Sequence, residues 1–166
     1  MTRFVHLRHK PPRALERRRE LIVVCAPLRS NVNLSHIIRS CGCCGVTRVI
    51  CCGAAKVLRR VARDGAETVE LEVHRSLPPV LLRLKNEGYR LVGLEQTTGS
   101  TVLYEYAFPR RTALVVGNER LGLTPDVLAL LDDVIEIPVY GLPYSYNVAT
   151  ATSMALYEYC RQYPDG

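Results

Sequence analysis

Apolar residues along the chain gather in short β-branched runs, separated by stretches in which they recur every three or four positions. The first run, residues 21–26, shows no alternation with polar residues, which predicts a strand covered on both faces. Leu34, Ile37, Ile38 and Cys41 then recur at helical spacing. The pattern continues with a strand at 48–52, a helix near 55–62, a strand near 69–74, a helix over 77–86 and a strand at 90–96. Runs at 113–117 and 134–137 bring the count to six strands. Strands alternating with helices in this way predict an α/β fold, a mostly parallel six-stranded sheet with helices on both faces.

Punctuation between these elements sharpens the picture. Thr124, Pro125 and Asp126 supply an N-cap, a proline at the first helical position and an acid in the first turn, predicting a helix over 125–131. Beyond Ile137, the residues Pro138, Gly141 and Pro143 forbid a continued ladder and impose an irregular loop. The last helix, from about 146 to 162, opens with small residues between Ala149 and Ala155, which let it approach other backbone closely. No internal repeat or linker interrupts the chain, and its 166 residues suit one core.

Composition excludes several classes. A chain with 48% hydrophobic and 23% charged residues is globular rather than disordered. No apolar run approaches the roughly 18 residues of a spanning helix, and no signal-peptide core opens the sequence, so the expected location is cytoplasmic, with the nucleus as the alternative. The seven cysteines lie on predicted regular elements and read as reduced, space-filling thiols. A metal site built from Cys41, Cys44, Cys51 and Cys52 would need a tetrahedron in which two ligands are adjacent in sequence, a poor fit, and no metal is expected.

The formal charge is +6, and much of it falls at the start, where Arg3, Arg8, Lys10, Arg13, Arg17, Arg18 and Arg19 oppose only Glu16 and Glu20. Residues 1–20 therefore read as a basic arm able to neutralise phosphates, ahead of a domain at 21–166.

Ordinary α/β nucleotide motifs are absent: no G-x-G-x-x-G follows the first strand and no P-loop occurs, which excludes a dinucleotide dehydrogenase and a P-loop enzyme. Three other blocks stand at strand ends, where open parallel sheets bind ligands. In the first, residues 31–39, Asn33 is placed to cap a helix while Arg39 lies off the apolar stripe. The second, 114–123, sets Gly117 where backbone can approach a ligand, followed by Asn118 and by Glu119, a carboxylate placed to orient a guanidinium. The third, 137–150, puts Ser145 and Asn147 at the mouth of the last helix.

In order and separation these blocks resemble the three motifs of the TrmH group of the SPOUT superfamily, the tRNA guanosine 2′-O-methyltransferases. Residues 94–97, 117–120 and 158–162 resemble the eukaryotic branch, which methylates a D-loop guanosine and carries this domain behind a long N-terminal region. The similarity covers nearly the whole chain after Leu21. It implies S-adenosyl-L-methionine as methyl donor, leaving as S-adenosyl-L-homocysteine, and a ribose 2′-hydroxyl of RNA as acceptor. That RNA would be tRNA, with ribosomal RNA as the alternative substrate and a catalytically silent RNA-binding module as the alternative function.

The resemblance further implies a C-terminal trefoil knot and a homodimer whose active sites draw on both chains, with no membrane partner. The family's catalytic positions fall on Asn33, Arg39, Glu119, Ser145 and Asn147. Its cofactor contacts fall on Leu94, Glu95, Gly117, Asn118, Ile137, Val139, Tyr146 and Asn147. Tyr146 departs from the usual leucine, and Ala149 departs at the second position after Asn147. A guanidinium is a poor base near neutrality, so Arg39 is expected to stabilise charge on the ribose oxygen, held in place by Glu119 and Asn33.

Overall fold

The first strand, β1 (Ile22–Cys25), is buried at every position. Its uninterrupted apolar run has a simple cause: Val23 and Cys25 enter the core on one face of the sheet, while Ile22 and Val24 enter the core on the other. In this computed structural model, which describes residues 3–166, β1 pairs with β2 (Arg48–Cys52) on one side and with β6 (Thr112–Val116) on the other. The remaining strands are β3 (Glu70–His74), β4 (Arg90–Leu94), β5 (Thr101–Val102) and β7 (Asp133–Glu136). They form a sheet in the order β3-β2-β1-β6-β4-β7-β5 with every pairing parallel. Seven strands replace the expected six, because β5 contributes only two residues at the edge against β7, too few to leave a periodic signal.

One face is covered by α1 (Asn31–Cys43) and α6 (Val148–Gln162), whose Leu34, Ile37, Ile38, Cys41, Leu156 and Tyr159 meet the sheet. The other is covered by α4 (Leu77–Asn86) and the single turn α5 (Pro125–Leu128), through Leu77, Val80, Leu81, Leu84 and Val127. The helix expected near 55–62 is instead two single turns, α2 (Arg59–Ala62) and α3 (Gly65–Thr68), broken where Arg63 takes φ +54. Two expected caps also differ. Ser30, not Asn33, caps α1, and Thr124 makes no side-chain cap bond.

Residues 1 and 2 of the basic arm lie outside the described residues. Arg13 pairs with Asp165 at 3.0 Å, Arg18 donates to Thr47 Oγ1 at 2.9 Å, and the Arg17 amide donates to the Asp165 carbonyl at 3.3 Å. Arg19, only 8% exposed, donates to the carbonyls of Cys44 at 2.7 Å and Tyr163 at 2.6 Å. Those residues cap the C-terminal ends of α1 and α6, where unsatisfied carbonyls favour a cation. Residues 13–19 are thus tied to the body at several points, with Arg19 buried and Arg13, Arg17 and Arg18 exposed, as are Arg3, Arg8 and Lys10.

The cysteines are divided by the sheet. Cys41 and Cys51 pack in the α1/α6 core with Cys44 against it, and Cys52 lies in the opposite core, so the four positions a metal would need do not converge. Burial pushes the Cys25 thiol well up and the Cys52 thiol up to about 11. Among the described residues no helix is long and apolar enough to cross a membrane, and no group of three His, Cys, Asp or Glu is placed to hold a metal ion.

Candidate functional site

At the carboxyl ends of β4, β6 and β7 the chain leaves the sheet in three loops that enclose a cavity of about 470 Å³. Leu94, Val116, Ile137 and Val139 give it apolar walls, and Asn33, Glu95, Asn118, Glu119, Ser145 and Asn147 place polar atoms on its rim. Gly117 is required on the β6 side, since a Cβ there would lie 2.5 Å from the backbone of Gly122. That close approach is the turn itself: the Asn118 and Gly122 amides each donate to the other's carbonyl, at 3.1 and 2.9 Å. Glu95 braces the turn from beneath, accepting the Leu123 amide at 2.9 Å.

Glu119 ties this turn to α1. Its carboxylate accepts the amides of Arg29 at 2.8 Å and Ser30 at 2.9 Å and the Asn33 side-chain amide at 3.1 Å. Partial burial alone would push the Glu119 carboxyl up, but the Arg29 amide and the other donors outweigh it and hold it below its ordinary value. Asn33, relieved of capping, passes the connection on: its side-chain oxygen accepts the Asn147 amide at 3.0 Å. Asn147 in turn caps α6 by accepting the Ala149 and Thr150 amides at 2.9 and 3.3 Å. A carboxylate and two carboxamides therefore join the three sequence blocks at one point.

Leu94, Glu95, Gly117, Asn118, Ile137, Val139, Tyr146 and Asn147 all line the cavity, as do Asn33, Glu119 and Ser145. Arg39 does not. Exposed and unpaired among the described residues, it sits over a separate hollow of about 340 Å³ between α1 and α6, with His36, Ser40, Cys43, Cys44, Ser153 and Tyr157. The expected clamp of Arg39 by Glu119 and Asn33 is not present, because both side chains are committed to each other and to the α1 entry. The reason is helical: six residues separate Asn33 from Arg39, which turns the two side chains about 120° apart and shifts them roughly 9 Å along the axis.

Sequence reasoning missed Ser30 as the cap and missed Gln96, Arg120, Val148 and Ala151 as lining residues. Gln96 and Arg120 directly follow Glu95 and Glu119, and Val148 and Ala151 occupy the first turn of α6, so position relative to the motifs was the available signal.

The cavity suits a ligand with an aromatic base and a polar tail. Among the described residues, segment 137–146 makes no backbone-to-backbone hydrogen bond, and apart from the Tyr144 carbonyl, which accepts the Gln96 side-chain amide at 3.4 Å, its backbone polar groups are open to the edge of a base.

A sequence profile described as the SpoU rRNA Methylase family matches residues 20–157. A relative from Aquifex aeolicus, named tRNA (guanosine(18)-2′-O)-methyltransferase, is 32% identical over 89% of this chain and 72% of its own length. A Mus musculus relative of the same enzyme name is 32% identical over 86% of this chain, which spans only 9% of that much longer protein. Among solved structures, the TrmH/SpoU tRNA modifying enzyme of A. aeolicus superposes with a TM-score of 0.84 at 32% identity, covering 91% of this chain and 79% of the other. A SpoU methyltransferase of Streptomyces viridochromogenes, solved in complex with the cofactor AdoMet, superposes with a TM-score of 0.79 at 25% identity, covering 92% and 64%.

Proposed function

The chain belongs to the SpoU rRNA methylase family, and from that membership and the cavity we infer that it transfers a methyl group from S-adenosyl-L-methionine to a ribose 2′-hydroxyl of RNA, with tRNA as the substrate. The observation that carries this reading is the Glu119–Asn33–Asn147 relay, which draws three distant motifs around one cavity of cofactor size. A D-loop guanosine is the target favoured by the names of the relatives.

S-adenosyl-L-methionine, when bound, supplies an electrophilic methyl group on a sulfonium. The residues of the chain position and shield. Leu94, Ile137 and Val139 would hold the adenine, Gly117 would allow close approach of backbone, and Ser145 and Asn147 would shape the edge at which a ribose arrives. Glu119 spends its charge on fixing the entry of α1 and has few lone pairs left for a proton. Arg39 would place positive charge beside the ribose oxygen and stabilise the negative charge that develops there. Because Arg39 lies outside the cavity of its own chain, it serves the cavity of a second copy, in a homodimer that packs on the α1/α6 face. The exposed apolar residues Val32 and Tyr157 on that face support the arrangement. The family's C-terminal knot is part of the same reading, consistent with α6 returning from the far side of the sheet to pack on α1.

Incubation with methyl-labelled S-adenosyl-L-methionine and bulk tRNA, followed by mapping of ribose methylation, tests the proposal. Label on a 2′-oxygen is the expected result. Weak or absent cofactor binding, with no transfer to tRNA or ribosomal RNA, would redirect it to a silent RNA-binding module.

A further inference from the structure

From Leu21 to Arg63 the sequence contains no aspartate or glutamate but seven cations. Arg48 is bound to Glu72 at 2.5 Å; the other six, Arg29, Arg39, Lys56, Arg59, Arg60 and Arg63, are exposed. Of these six side-chain cations, only that of Arg59 has a carboxylate within 4 Å among the described residues, Glu67 at 3.4 Å. The segment carrying the last four is fastened along α1. The Lys56 amide donates to Asn31 Oδ1 at 3.1 Å, the Leu58 amide to Ser35 Oγ at 2.8 Å, and Gly65 packs so closely that a Cβ would lie 3.1 Å from Arg39 Cα. The cations therefore flank α1 from its cavity end at Asn31 to Arg39, roughly 12 Å along the axis, over which an RNA strand presents several phosphates.

Arg63 adds a second observation. It is the one non-glycine residue with positive φ among the described residues, at +54. An exposed arginine in a conformation that glycine adopts at lower cost is not there for stability.

We propose that Arg29, Lys56, Arg60 and Arg63 form a track that grips the phosphodiester backbone of the RNA substrate and leads it along α1 towards the cavity. This rests on the reading of the chain as an RNA-modifying enzyme and assigns the grip to a region other than Arg13, Arg17, Arg18 and Arg19, which the body already engages. Phosphate contacts of this kind hold and orient RNA without reading its sequence, so they set affinity and its salt dependence rather than the target nucleotide.

The test compares the wild-type chain with Lys56→Gln, Arg60→Gln and Arg63→Gly, singly and combined, in binding to bulk tRNA at 50 and 200 mM salt. Loss of three contacts removes about 40-fold from the drop in affinity across that range, at a slope of about 0.9 per phosphate. S-adenosyl-L-methionine affinity stays at the wild-type value, and methyl transfer shows a raised KM for RNA with kcat retained. Arg63→Gly alone weakens RNA binding while its melting temperature holds or rises, which separates the proposal from misfolding. Unchanged RNA affinity and salt slope would overturn it and leave the patch to an acidic protein partner. A wild-type chain that binds neither the methyl donor nor RNA would instead overturn the functional reading itself.

Discussion

Asn147 donates its side-chain amide to the Asn33 oxygen over 3.0 Å, so the cap of the last helix is held by the first turn of the first helix. Asn33 uses its other end on the Glu119 carboxylate at 3.1 Å. Asn33→Ala removes both bonds, one of them to an ionised partner, and should lower stability by about 2 kcal/mol and weaken methyl-donor binding at least about tenfold. Urea denaturation and titration calorimetry measure the two effects; wild-type values in both would show the relay to be incidental.

Gly117 and Gly122 approach closely enough that Gly117→Ala must open the turn. The expected cost is about 1–3 kcal/mol from overpacking, with donor affinity falling further than stability because the turn is a wall of the cavity. Calorimetry on the folded variant separates the two. Retained affinity would mean that the backbone approach at Gly117 is not used by the ligand.

Arg39 and the cavity lie on different parts of one chain, which gives a mixing experiment. Arg39→Ala and Glu119→Ala should each fall at least about a hundredfold in methyl transfer, the first with donor binding intact. Co-refolding equal amounts should restore about a quarter of wild-type activity, since half of the random dimers are mixed and each of these holds one intact composite site. Absence of any recovery would place Arg39 in the service of its own chain.

On the sheet edge Glu72 is held at about 2 against an ordinary 4.5, first by its hydrogen bond from Arg48 and then by His74 and Arg83. A carboxyl whose folded pKa is depressed contributes stability that is fully present above pH 4.5 and is lost as pH falls from there towards 2. The contribution is at most about 3 kcal/mol. Glu72→Gln should lower stability near neutrality and flatten the acid limb of the denaturation midpoint measured from pH 6 to pH 3. A limb as steep as that of the wild type would assign it to other carboxylates, Glu119 among them.

Legibility in the sequence followed burial. Strands covered on both faces, such as β1 with Ile22 and Val24 on one side and Val23 and Cys25 on the other, announce themselves as unbroken apolar runs. β5 does not, since its two residues lie at the edge and Thr101 is exposed. The three site loops were visible because glycine, asparagine and glutamate follow apolar strands, a combination that packing alone does not require. What pattern reading passed over was angular: Asn33 and Arg39 share one motif and one helix, yet a six-residue spacing sends them to different surfaces. Charge was read as a run near the start, which concealed the acid-free stretch up to Arg63, where the cations are dispersed in sequence and gathered only by the packing of α2 and α3 on α1.

The far wall of the cavity is drawn from Ile137, Val139 and Ser145 to Ala151, all beyond the end of β7 at Glu136. A nascent chain has therefore completed every strand before it can retain a methyl donor. Truncation directly after Glu136 would leave a product that holds the strand sequences in full and is inert towards the cofactor pool. Premature termination would cost the cell the activity without creating a competitor for its methyl supply.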